Sequence, residues 1–138
     1  MAFELDPMLA ADTRHAADLP LCELRLMDDA RYPWLVLVPR VAGAVEILDL
    51  DESDQRRLAD EVRTCARALQ ALTRAHKLNI AALGNVVRQL HVHVIARFEH
   101  DEAWPRPVWG VHPRIPYDDD DDAERLVAAL RGRLGGSR

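Results

Sequence analysis

Cysteine is scarce in this sequence. The two thiols, Cys22 and Cys65, fall in different expected elements, and neither belongs to a Cys-x-x-Cys pair, so there is no disulfide framework to read. Long apolar runs are missing as well: nothing approaches the ~20 consecutive apolar residues of a membrane span. The first fifteen residues lack the basic start and apolar middle of an export signal, which leads to the expectation of a cytoplasmic protein with two buried, reduced thiols. There is no surplus of basic charge. The chain carries 18 Lys and Arg against 23 Asp and Glu, five of the acids stand in one run from Asp118 to Asp122, and the remaining charges balance. Without a basic stripe, stable binding to duplex nucleic acid through phosphate contacts is not expected. No internal repeat or interdomain linker interrupts the sequence.

What is present is enough apolar residue, 49% of 138, for one self-sufficient core, so a single domain is expected over residues 1–138. Asp6-Pro7 followed by Met8-Leu9-Ala10 has the form of an N-cap, a proline in the first helical position and a short helical turn. Residues 21–27 alternate well enough for a half-buried strand, turn residues follow at 28–33, and Trp34 to Val38 is an apolar run closed by Pro39. Leu58, Val62, Cys65, Leu69 and Leu72 recur at spacings of four and three, which predicts one long helix over about residues 52–76. Strands are expected at 78–83 and 88–96. An irregular segment with four prolines and two tryptophans spans Trp104 to Pro116, and a last helix, capped by the Asp run, covers Ala123 to about Leu134. The class is α+β, an antiparallel sheet of about five strands under a long helix, plus a C-terminal helix.

Chemistry concentrates in one strand. In Arg88-Gln89-Leu90-His91-Val92-His93-Val94-Ile95-Ala96 the apolar residues Leu90, Val92 and Val94 face one side. Gln89, His91 and His93 form a polar column on the other, with neighbours about 6.5–7 Å apart. Three readings are open for this column. It is a solvated sheet face, a metal site completed by residues such as Glu99 and His100, or a nucleophilic site in which a neutral imidazole attacks phosphorus.

Gln89-Leu90-His91-Val92-His93-Val94-Ile95 resembles the histidine-triad (HIT) signature, three histidines alternating with apolar residues, with Gln89 in place of the first. The surroundings are similar too. Trp34 to Pro39, Ile47-Leu48-Asp49-Leu50 and the long helix follow the family's order, and Leu78-Asn79 to Gly84-Asn85 resembles its lead-in to the catalytic strand. The resemblance covers roughly residues 20–100. It implies a nucleotide-binding hydrolase or transferase acting at the phosphorus of a nucleoside phosphoramidate or dinucleoside polyphosphate, with no cofactor and no metal. It further implies His91 as the nucleophile that carries a transient nucleotidyl group, with His93 facing the phosphate beside it. Asn79, Gly84 and Asn85 fall at substrate-binding positions, and Asp28, or Asp29, falls at the position that holds the ribose hydroxyls. Homodimers are common in the family.

The departures define the alternatives. Gln89 can orient neighbours through hydrogen bonds but cannot titrate. Val86 stands where many relatives have a hydroxyl, and Asn85 is one methylene shorter than the usual Gln. A non-catalytic nucleotide-binding module on the same fold is the main rival, and a metal-dependent enzyme is the third. The segment Trp104–Pro116 is expected at a dimer interface or at the rim of the site. Trp34 and Tyr32 are expected to serve packing, and Arg97 to meet phosphate or lie on the surface. His15, His76, His100 and His112 are expected as surface or capping residues.

Overall fold

A computed structural model describes residues 2–135. The order of elements is α1 (Pro7–Asp12), β1 (Thr13–Asp18), β2 (Cys22–Met27), β3 (Trp34–Pro39), a 3-10 turn (Ile47–Asp49), α2 (Glu52–Thr73), β4 (Lys77–Ala81), β5 (Val92–Arg97) and α3 (Asp120–Gly135). The five strands form one sheet in the order β1-β2-β3-β5-β4, and every neighbouring pair is antiparallel. The expected α+β class holds, with helices α2 and α3 on one face.

Local chemistry sets the element ends. Asp6 caps α1 by accepting from the Met8 amide at 2.8 Å, with Pro7 in the first turn. Asp51 does the same for α2 through the Asp54 amide at 2.8 Å. This helix stops at Thr73 rather than 76 because Arg74 turns left-handed, with φ 56°. Three other boundaries also differ from expectation. Strand β4 ends at Ala81, and α3 begins within the acidic run, at Asp120. Strand β5 begins at Val92, because the chain bends at Gln89 and the Leu90 amide donates instead to the Ala44 carbonyl. Strand β1 had no counterpart in the sequence reading. Its segment Thr-Arg-His-Ala-Ala-Asp has no large apolar residue, and its pairing with β2 slips between His15 and Ala17.

The two faces of the sheet are both covered. Under the helices, Leu24, Leu26, Leu35, Leu37, Val92, Val94 and Ala96 pack with Leu58, Cys65 and Leu69 of α2 and Val127 and Leu130 of α3. Each fully buried Leu there is worth about 1.5–3 kcal/mol. Glu61, buried in α2, accepts from the Leu21 and Cys22 amides at 2.8 and 2.9 Å and so ties the helix to the head of β2. Cys22 and Cys65 are free and buried, as expected. Burial, with Glu61 nearby, pushes both thiols upward, Cys65 to about 12.

The opposite face, with Trp34, Val36, Val38 and Ile95, is covered by the N-terminal segment, including the short helix α1, and by irregular chain after β5. Phe3, Leu5 and Leu9 come from the N-terminal segment, and Ala103, Val108, Trp109 and Val111 from the segment after β5. The stretch expected at a dimer interface or at the rim of the site packs on its own sheet, and its Trp109 and Gly110 lie on the wall of the cleft that holds both histidines.

Candidate active site

His91 and His93 lie on the irregularly covered face, where β5 begins. Both rings are buried, with 6% and 5% of their surface exposed, and their centroids are 4.9 Å apart, edge to face. Val92 and Val94, between and beyond them, enter the helix-side core, so the expected alternation holds here.

The hydrogen bonds assign the ring protons. His91 Nδ1 lies 2.6 Å from the Gln89 main-chain carbonyl, which can only accept. Nδ1 therefore carries the proton, and Nε2 keeps its lone pair. His93 is the reverse. The Trp34 indole N–H donates to His93 Nδ1 at 2.9 Å, so the His93 proton sits on Nε2. Burial, and secondarily the neighbouring His91, pushes His93 down to about 3. His93 is thus a neutral hydrogen-bond donor at physiological pH, and the neutral form of His91 is the tautomer with its lone pair on Nε2. Pair register explains why Trp34 reaches it: Trp34 lies opposite Ile95 and Val36 opposite His93, all on one face.

Two clefts meet at His91. The larger, about 420 Å3, runs between Met8, Leu9 and Asp12 of α1, Trp34, Trp109, and the Gly84–Val87 loop, with both histidines on its wall. The smaller, about 220 Å3, lies among Glu46, Ile47, Leu48, Leu83 and Gln89. A further cavity of about 430 Å3 on the helix side is lined by Arg57, Glu61 and Arg131 and shares no residue with either. Its Glu61 and Arg131 are already occupied by backbone groups.

The family model of the HIT domain matches residues 10–100. The chain belongs to the HIT domain family. Among solved structures, it is similar over 97% of its length to a histidine triad protein from Bradyrhizobium japonicum, with 49% identity, 99% of that chain covered and a TM-score of 0.94. A histidine triad protein from Sinorhizobium meliloti gives 45% identity, 96% and 97% coverage and a TM-score of 0.93. One from Marinobacter aquaeolei gives 41%, 99% and 98%, and 0.94. No curated protein matches the chain. Members of the HIT family are in general nucleotide-binding hydrolases or transferases.

Within this HIT site the structure brings together some of the expected residues and not others. Gly84 and Asn85 line the larger cleft beside the histidines. Gly84 has φ 74°, a conformation that favours glycine. Gln89 stands outside the strand and does not aim into the larger cleft. Its side-chain Oε1 accepts from the Asp6 amide and its Nε2 donates to the Glu4 carbonyl, each at 2.8 Å. Asn79, paired with Ile95, shares the histidines' face of the sheet, but it lines neither cleft and its Oδ1 accepts from Arg97 Nη1 at 2.9 Å. Asp28 is outside the cleft and bonded elsewhere: its Oδ1 accepts from Arg14 at 3.3 Å and from the Tyr117 amide at 3.1 Å. Asp29 is buried against Arg31.

Arg97 is neither on the surface nor in the cleft. Only 1% exposed, it forms a two-pronged pair with Asp101 at 2.8 and 2.9 Å, with the rings of Tyr32 and Trp104 beside it. Burial works against the Asp101 carboxylate, but Arg97 and the Phe98 and Trp104 amides outweigh it and hold Asp101 down to about 2. Glu99 and His100, required by the metal reading, lie past the far end of β5. The Glu99 amide donates to His76, and the His100 ring stacks on Phe98. Among the described residues no three His, Cys, Asp or Glu side chains converge as metal ligands, and no helix is long and apolar enough to cross a membrane.

The sequence reading missed two site features. Trp34 orients His93 as well as packing, and the N-terminal segment forms a cleft wall. The unbroken apolar run from Trp34 to Val38 reads as a strand buried on both faces, which it is; only the pairing of β3 with β5 brings the indole N–H to an imidazole.

Proposed function

We propose that this HIT protein attacks the phosphorus of a nucleoside phosphoramidate or dinucleoside polyphosphate through a covalent nucleotidyl-His91 intermediate. The observation that carries the reading is the pair of opposed tautomers. His91 Nε2 holds an unshared pair while its Nδ1–H is bound to a carbonyl, which stabilises the positive charge the ring gains as the P–N bond forms. The bond from phosphorus to the leaving group breaks and the leaving group departs with its electron pair, an amine taking a proton from solvent. Water then attacks the phosphorus, breaks the P–N bond and restores His91, releasing a nucleoside monophosphate. His93 Nε2–H is suited to donate to a phosphoryl oxygen throughout, because His93 stays neutral. The two clefts meeting at His91 give room for the two halves of such a substrate, the nucleoside in the larger, partly aromatic one.

The test is turnover of adenosine phosphoramidate and diadenosine polyphosphates, with and without chelator, combined with a base quench and intact mass measurement. Turnover that ignores chelator, with one nucleotidyl group added to the protein, supports the reading. Binding without turnover returns the binding-module alternative, and loss with chelator returns the metal-dependent one. We also infer a homodimer, formed at the β4 edge rather than by the Trp104–Pro116 segment. Strand β4 is at the sheet's end with Ile80 49% exposed, beside Ala59, Val62 and Ala66 of α2, an apolar edge that requires cover. A sedimentation mass of one chain at micromolar concentration would remove this inference.

A further inference from the structure

The carboxylate that the family resemblance assigns to a ribose is occupied elsewhere. Asp28 accepts from Arg14 and the Tyr117 amide through Oδ1, and Arg114 Nη1 lies 3.5 Å from its Oδ2. It takes no part in lining the cleft that holds both histidines. That cleft has one carboxylate among its described lining residues, Asp12, at the end of α1. Oδ1 of Asp12 lies 3.4 Å from Arg114 Nη2, and the side chain is 39% exposed. Its second oxygen has no protein partner among the described residues and is free to accept from hydroxyls. Met8 and Leu9 of the same short helix supply apolar surface beside it.

The helix is held at both ends. Asp12 runs directly into β1, and the chain ahead of the helix is clamped by Gln89, which accepts from the Asp6 N–H and donates to the Glu4 carbonyl. The primary amide thus pairs with main chain as a neighbouring strand would, one donor and one acceptor side by side. A carboxylate at this position lacks the donor, and an imidazole carries its donor and acceptor on diverging directions of a rigid ring. The departure from a histidine at position 89 therefore has a physical use: it fixes the wall.

We propose that Asp12 is the acceptor for the sugar diol of the substrate, on a wall that Gln89 positions. This assignment rests on the nucleotide reading above. Gln89 is then a positioning residue, acting through residues 4–12 and not on the reacting atoms.

The experiment is calorimetric titration of the full chain with adenosine monophosphate and with its 2′,3′-dideoxy counterpart. The wild type is expected to prefer the nucleotide with the diol. Asp12→Ala should weaken adenosine monophosphate about tenfold or more and leave the dideoxy nucleotide unchanged, the range for a lost charge-assisted hydrogen bond. Gln89→Glu should weaken both, because Met8 and Leu9 shift with Asp12, and should erase the preference. Asp28→Ala should lower the thermal midpoint and keep the preference. An Asp12→Ala protein that keeps the wild-type preference overturns the sugar assignment, as does loss of preference in Asp28→Ala alone. A Gln89→Glu protein with the preference intact overturns the positioning role. If the wild type binds neither nucleotide, the nucleotide reading falls and takes this proposal with it. If it binds both equally, the proposal falls alone.

Discussion

On the helix-covered face of the sheet the buried strand residues are aliphatic or thiol, from Cys22 and Leu24 to Ala96. The opposite face buries Arg25, Arg97 and His93 beside Trp34. The first face is sealed by two long helices, the second by the N-terminal segment with its short helix α1 and by irregular chain after β5. Regular cover needs only apolar contact, since its backbone is already bonded within the helix. Irregular cover brings unpaired amides and carbonyls, so its underside needs polar side chains to satisfy them. Asp101 takes the Phe98 and Trp104 amides, Arg31 the Pro113 carbonyl, and Gln89 the Glu4 carbonyl and Asp6 amide. His91 and His93 belong to the face with this polar infrastructure, where neighbours fix the tautomer of each ring.

Four measurements probe the contrast, the strongest first. His91→Ala should lower kcat/KM by roughly a thousandfold or more, the scale of losing a covalent nucleophile, with nucleotide still bound and no covalent adduct in the quenched mass. Wild-type turnover in this variant would refute the nucleophile assignment. For stability, Arg97→Met strands the Asp101 carboxylate and should cost about 3–5 kcal/mol in urea unfolding. On the other face, Leu37→Ala should cost about 2–5 kcal/mol by leaving a cavity. A second change, Asp101→Asn, removes the charge and keeps an oxygen for the Phe98 or Trp104 amide; it should recover part of the first loss and none of the second, which distinguishes charge stranding from lost packing.

Trp34→Phe keeps the ring and removes the donor to His93 Nδ1, so the His93 proton is no longer confined to Nε2. A fall in kcat of about tenfold, or ~1.4 kcal/mol of barrier, is expected with KM little changed. Equal kcat in the two proteins would show that the indole serves packing only. The fourth measurement is of pH dependence. His93 titrates near 3 when folded and near its ordinary 6.5 when unfolded, so the unfolded chain binds the extra proton between those values. Stability from this residue is whole above pH 6.5 and is lost as pH falls toward 3. The thermal midpoint of the wild type should decline more steeply over pH 6.5 to 4 than that of His93→Gln. Parallel curves would remove His93 as the cause.

The sequence was readable where a period dictates burial. The spacing from Leu58 to Leu72 located α2, and the alternation of Leu90, Val92 and Val94 located the histidine-bearing strand and put His91 and His93 on the face away from the helix-side core. Residues whose role depends on pairing across long chain separations were not readable. Asp28 met Arg14 and Tyr117, Arg97 met Asp101 beneath two rings, and Asn79 met Arg97. Strand β1 escaped notice because small residues satisfy it at a bulged edge. Gln89 read as one more step in a column, yet its amide is directed to the chain 83 and 85 residues earlier.

The clamp at position 89 touches only main-chain atoms of Glu4 and Asp6. Every residue type offers the carbonyl it needs at position 4, and all but proline offer the N–H at position 6. The grip is therefore blind to which side chains ride on the segment. Met8, which lines the larger cleft, can be exchanged without touching either clamped main-chain group, and such an exchange reshapes one wall of that cleft. In this corner of the fold, the path of the chain and the side chains it presents to the cleft are set by separate groups, the first by main chain and the second by residues 8–12.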